Sequence, residues 1–106
     1  MRLLLIVCIS LLTFIPVAHS EERVFARQGD VVLTQEELDA AFARIPKEHR
    51  LPYIRDGEKV EQLVSSLLRT KQVAQAAIDS GFDDKPLVAD RMALAAEKEL
   101  AEAWME

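Results

Sequence analysis

The stretch VFARQGDVVLTQEELDAAF, Val24 to Phe42, begins with the residues of a strand and ends with those of a helix. Val24, Phe25, Val31, Val32 and Leu33 favour extended backbone, and they flank the polar turn Gln28-Gly29-Asp30. Gly29 can supply the positive φ that a tight hairpin turn requires. Two short strands are marginal in water, so this hairpin is expected to lie against a helix. TQEEL then reads as a capping box: Thr34 accepts from the amide of Glu37, and the Glu37 carboxylate reaches back to the amide of Thr34. Leu38, Phe42 and Ile45, with Ala41 between them, fall on one helical face, and that helix ends before Pro46. The hairpin is the lid of a helical unit rather than the start of a sheet protein. The expected fold is mainly α: a short N-terminal β-hairpin, then three to four helices in an open helical bundle.

Working outward, Pro46, Pro52 and Gly57 break up the next segment. KEHRLPYIRD is expected to hold one or two short helical turns with Leu51, Tyr53 and Ile54 facing inward. The strongest periodic signal follows in EKVEQLVSSLLRTKQVAQAAIDS. Val60, Leu63, Val64, Leu67, Leu68, Ala74 and Ile78 recur at helical spacing, and Lys71 is the one break in that stripe. Asp56 is a candidate N-cap and Gly81 a candidate C-cap, giving a helix about 30 Å long that forms the spine of the domain. A last helix is expected to start near Asp83 or Asp84, with Pro86 in its first turn. Its apolar side is mostly alanine, with Leu87, Val88, Met92, Leu94, Leu100 and Trp104 less regularly spaced. Alanine favours helix but buries little area. No glycine, asparagine or basic last turn closes this helix, and Glu106 stands at the negative end of its dipole. It reads as interrupted.

The N-terminal 20 residues carry a different message. Arg2 precedes an apolar run, LLLIVCISLLTFI, which Pro16 breaks before small residues at Ala18 and Ser20. This is the layout of a secretory signal peptide, with cleavage expected after Ser20. The run is short of the roughly 20 apolar residues of a spanning helix. Cys8 lies too early for a lipid-attachment site and follows Val7, where a small residue would be needed. The chain therefore divides into a signal peptide, residues 1–20, and one domain, residues 21–106, exported to what is expected to be a bacterial periplasm without stable membrane insertion. Removing Arg2 from the 13 basic residues leaves 12 against 18 acidic, a net charge of −6. That balance argues against nucleic acid and anionic membrane surfaces as partners. Cys8 is the only cysteine, so the exported domain has no disulfide and rests on its hydrophobic core.

No catalytic constellation emerges. His49 is the one histidine after Ser20, it lies in the proline-bounded connector, and no motif supplies it with a partner. It reads as a solvated loop residue. Asp83-Asp84 could suggest a metal site, but DSGFDDK lacks the alternating oxygen ligands and closing Glu of a calcium loop. Helix capping accounts for the pair. Glu97, Lys98 and Glu99 read as a solvated helix face. The three glycines, Gly29, Gly57 and Gly81, sit at turns or caps and form no phosphate loop. No catalytic, metal or cofactor-binding residue is assigned.

The order of these elements resembles the N-terminal region of exported parvulin-type peptidyl-prolyl cis-trans isomerases and SurA-like chaperones. The matching positions are Val24, Ala26, Gly29, Leu33, Thr34, Glu37 and Leu38, then Leu63, Leu67, Leu68, Ala74, Ala77 and Gly81. They cover most of the exported domain and are folding residues rather than catalytic ones. The Val-then-Asn-Gly turn common in that family is replaced here by Arg27-Gln28-Gly29. The resemblance implies a chaperone module that binds unfolded or extended polypeptide. It does not imply isomerase activity for this polypeptide alone, because the parvulin domain, its His-containing motifs and the helix that returns from beyond it have no counterpart here.

If the long helix normally packs against such a returning helix, its absence leaves an apolar groove. Phe42, Tyr53, Leu67, Met92 and Trp104 are the residues expected to contribute to it, filled by an extended client or by self-association with a second copy. Two other readings stand beside this one: the truncated front end of a parvulin-type isomerase, and an unrelated small helical adaptor or structural protein.

Overall fold

The computed structural model describes residues 23–106, and the expected signal peptide with its cleavage after Ser20 lies outside them. Strands β1 (Val24–Gln28) and β2 (Val31–Thr34) form an antiparallel hairpin. Helices α1 (Gln35–Ala43), α2 (Lys47–Arg55), α3 (Gly57–Asp79) and α4 (Pro86–Met105) follow, with a 3-10 turn over Phe82–Asp84 between the last two. The protein is mainly helical, as the pattern of its sequence predicts.

Gly29 has φ +57° and no other residue of the hairpin has a positive φ, so Gly29-Asp30 forms a two-residue turn with glycine at its first central position. Val24 pairs with Thr34 but Ala26 pairs with Leu33, so Phe25 is the extra residue of a β-bulge. The bulge twists β1 as it approaches α1. There the Gln35 amide donates to the Arg23 carbonyl at 2.8 Å. As expected, the hairpin lies against a helix: β2 packs on α3 and on α1. A Cβ built on Gly29 would stand 3.9 Å from Nε2 of Gln72, which places the turn beside the C-terminal half of α3.

The core sits where these three elements meet. Leu33 of β2, Leu38 of α1 and Leu68 of α3 are buried together with Thr34, and Val60, Leu63, Val64, Leu67, Ala41, Phe42 and Ile45 are half-buried around them. The stripe on α3 works over its first three turns only. Ala74 and Ile78, expected on the same buried face, are exposed, because the turn end of the hairpin, Asp30 to Val32, leaves an open cleft of about 290 Å³ against them instead of closing on α3. Asp56 caps α3 by accepting from the Lys59 amide at 3.3 Å. At the other end Ser80 is the cap, and Gly81 follows it with φ +74°, the left-handed position that glycine occupies after a helix.

The connector departs from expectation. Residues 47–55 form a nine-residue helix with Pro52 inside it, not one or two turns. Tyr53 is half-buried as expected, with its hydroxyl donating to the Lys59 carbonyl at 3.4 Å, but Leu51 and Ile54 are exposed. The inward position is taken instead by Arg50, whose guanidinium donates to the carbonyls of Ala43 and Ile45, both at 3.1 Å. The Ala43 carbonyl is the last of α1 and that of Ile45 lies just beyond its cap, so a cation there also meets the negative end of the helix dipole. His49 lies on α2, exposed, rather than in a loop. Asp83 and Asp84 form the 3-10 turn and do not cap α4, whose N-cap is Lys85 without a side-chain bond and whose first residue is Pro86.

Helix α4 packs against the 3-10 turn and reaches α1 through the ion pair of Arg44 Nε with Glu99 Oε1 at 3.1 Å. Val88 is its only half-buried residue, and the rest are exposed. Such a helix opens at lower free energy than one that carries the core. Hydrogen exchange is therefore expected to be faster by at least tenfold at the central amides of α4 than at those of α3 between Leu63 and Lys71. Leu38→Ala is expected to lower unfolding stability by about 3 kcal/mol in urea denaturation, since it empties one of three fully packed positions.

Candidate functional site

One polar cluster joins the hairpin, α1 and α3. The Glu37 amide donates to Thr34 Oγ1 at 3.1 Å, and the Thr34 amide donates to Glu37 Oε1 at 3.1 Å, so both halves of the capping box are present. The second carboxylate oxygen of Glu37 is paired with the ammonium of Lys71 on α3. Lys71, which breaks the apolar stripe of α3 in sequence, is thus the residue through which α3 holds the start of α1. The hydrogen bond from Lys71, then that from the Thr34 amide, hold the Glu37 carboxyl below its ordinary value of 4.5. The Glu37 side chain remains more than a third exposed, so solvent screens the pair and its contribution to stability is modest. This cluster is a structural joint, in which the Thr34 hydroxyl and the Lys71 ammonium are both engaged with Glu37.

The five residues expected to line a groove are not gathered in one place. Phe42 on α1, Tyr53 on α2 and Leu67 on α3 are half-buried within the packed unit. Met92 and Trp104 are exposed on α4. The cleft between α1 and α4 has a volume of about 280 Å³ and is lined by Ala40, Ala43, Arg44, Glu99, Glu102 and Ala103 together with Glu106, none of which is among those five. It is small, alanine-walled and charged at its rim.

The large exposed apolar surface lies instead along α4. Leu87 is 79 % exposed, Leu94 65 %, Leu100 72 % and Trp104 89 %. Met92 and Met105 add to it, and the exposed Val73 and Ile78 lie on α3. Leu87, Leu94 and Leu100 are visible in the sequence, but their uneven spacing hides that they would all be left uncovered. Contiguous exposed apolar patches larger than a few hundred Å² commonly belong to interaction sites.

Other chemistry is not assembled. Among the described residues there is no group of three or more His, Cys, Asp or Glu side chains placed to hold a metal ion, and no helix long and apolar enough to cross a membrane. The imidazole of His49 makes no hydrogen bond among them.

Comparison with protein-family models, with curated protein sequences and with solved structures finds no match to this chain.

The depressed carboxyl of Glu37 has a signed consequence. A group whose pKa is lower in the folded state stabilises above its unfolded value, and that contribution is lost as pH falls through the folded value. Glu37→Gln keeps a capping residue at the third helical position while removing the charge paired with Lys71. The urea midpoint of the variant is expected to lie below that of the parent at pH 7, with the two converging as the pH falls below 4.5. Thr34→Ala removes the cap itself and is expected to cost about 1 kcal/mol at every pH.

Proposed function

We propose that this chain is an exported, chaperone-like module that binds unfolded or extended polypeptide, related to the N-terminal regions of parvulin-type peptidyl-prolyl isomerases and SurA-like chaperones. The observation that carries this reading is the uncovered apolar surface of α4, with Leu87, Leu94, Leu100 and Trp104 held in water by a helix that the rest of the protein barely contacts. The order of hairpin, capping box and long helix supports the family relation. Flexible methionines and broad aromatic faces suit a surface that must accept many sequences, and Met92, Met105 and Trp104 supply both. Binding of clients through this surface needs no cofactor and no catalytic residue.

The packed unit and the binding surface have different roles in this reading. Phe42, Tyr53 and Leu67 support the helices, whereas Met92 and Trp104 meet the client together with the leucines of α4. Trp104 is the only tryptophan of the chain, so its fluorescence reports directly on the proposed surface.

The purified protein is expected to suppress aggregation of a chemically denatured client on dilution, measured by light scattering at equimolar ratio. Tryptophan emission should shift to shorter wavelength as the client is added. Replacing Leu94 and Leu100 together by Ser is expected to abolish the suppression while leaving the urea midpoint within about 0.5 kcal/mol of the parent, because both positions are exposed. Undiminished client aggregation in the presence of the parent protein would instead favour a helical adaptor.

A further inference from the structure

We infer that the outward face of α4 recognises a basic amphipathic helical segment, one that sets Lys or Arg among its apolar residues at a spacing of about 10 Å. This inference rests on the polypeptide-binding reading above and specifies the class of segment bound. At 100° per residue, Leu87 and Leu94 lie on one line of α4, and Leu100 and Trp104 lie on another. In angle Asp90 and Glu97 fall between these two lines; along the axis Asp90 stands beside Leu87 and Leu94, and Glu97 between Leu94 and Leu100, seven residues and about 10.5 Å further on. Four of the most exposed apolar side chains of the protein thus border a pair of carboxylates, with Arg91 and Lys98 on the far side of the Leu87–Leu94 line.

Those carboxylates are unengaged. Among the described residues the acidic side chains of α4 that form ion pairs are Glu99, with Arg44, and Glu102, with Lys98. Asp90 and Glu97 form none and face water. An apolar segment covering the leucines would bring them into a less polar setting, and burying an unpaired carboxylate is costly. A segment that carries cations opposite them removes that cost, while one that carries acids adds repulsion.

Two other occupants fit less well. A second copy docked face to face would set the Asp90–Glu97 line against the same acidic line, a like-charge contact, and would gain opposite charges only if rotated until its Arg91 and Lys98 faced them. A strand would find no partners for its backbone here, because a helix surface offers no unpaired N–H or C=O groups. A helical segment satisfies its own backbone and presents side chains alone, as in other helix-to-groove contacts. Residues seven apart in such a segment share a face and match the spacing of Asp90 and Glu97.

The test uses two synthetic peptides of the same length and apolar pattern, both Leu- and Ala-rich helix formers. One has Lys at two positions seven residues apart on its apolar face, and the other has Glu there. Each is titrated into the full protein at low salt while Trp104 emission is followed. The Lys peptide is expected to bind with a shift to shorter wavelength and to weaken as salt rises. The Glu peptide is expected to bind at least tenfold more weakly. In the double variant Asp90→Asn, Glu97→Gln the affinity for the Lys peptide is expected to fall about fivefold, as for two exposed ion pairs. The variant changes only exposed side chains, and its circular dichroism should match the parent. Equal binding of the two peptides, or full affinity in the double variant, overturns the charge recognition but leaves polypeptide binding in place. Binding of neither peptide overturns it as well; if client aggregation is also unaffected, the functional reading fails with it. Dimerisation of the free protein that is lost in Leu94→Ser would assign the face to a second copy and overturn the inference.

Discussion

The fold depends on where a single carboxylate sits. Glu37 closes the N-terminus of α1 by bonding the Thr34 amide, and its other oxygen is held by Lys71 from the middle of α3. Thr34 is at the same time the last residue of β2, so strand, helix start and spine converge on one cluster. Leu33 and Leu38 flank it in sequence, and both are fully buried. A capping box alone would start a short helix and leave its direction open. The bond to Lys71 fixes that direction, and it lets Leu38 and Leu68 share one core. Because the cluster stands at the edge of this core, part of it in water, the polar bonds act as an alignment device more than as a store of energy.

That joint organises only part of the molecule. Around it the hairpin, α1, α2 and the first half of α3 pack together, with Arg50 closing the C-terminal carbonyls of α1. Beyond Gln72 the spine meets only the open edge of the hairpin and the 3-10 turn. A domain of this size has little core to spare, and one fully buried leucine contributes about 2 kcal/mol. The two fully buried here, Leu33 and Leu38, with Leu68 nearly so, are enough to hold one cluster of elements but not to draw in α4. Helix α4 is stabilised chiefly from within, by an alanine-rich sequence of high helix propensity and by the Lys98–Glu102 pair one turn apart. Its alanines keep it helical without offering enough apolar area to bind it to the spine. The leucines and tryptophan that do offer area point elsewhere.

This division gives the proposed function its physical basis. A surface that binds many segments must remain uncovered in the free protein, and it stays soluble only if charge interrupts it. Asp90 and Glu97 do this on α4. Glu97 stands between Leu94 and Leu100 and Asp90 beside Leu87 and Leu94, and in the proposed recognition the same carboxylates discriminate between segments.

Much of this architecture was legible in the chain. Gly29 announces the turn, Thr34-x-x-Glu37 the start of α1 and Asp56 the start of α3, and Pro86 marks the first turn of α4, which begins there and not at Asp83 or Asp84 as expected, because each of these acts on backbone groups within a few residues of itself. Periodicity also marked Leu38, Leu63, Leu67 and Leu68 as facing inward, since the face of a helix follows from its own spacing. What the spacing could not say is how far along a face its cover extends. Ala74 and Ile78 continue the stripe of α3 but are exposed, Leu51 and Ile54 look inward by type but are not, and Arg50 turns in where no apolar pattern asks for it. Lys71 reads as a fault in the stripe until Glu37, far away in sequence, is placed beside it. In the same way Phe42, Tyr53 and Leu67 are separated from Met92 and Trp104 only by the position of α4. Local structure is determined by the sequence alone because caps, turns and helix faces are short-range interactions; burial and the candidate surface were decided by tertiary structure, because each depends on which distant element arrives to cover a side chain and where that element stops.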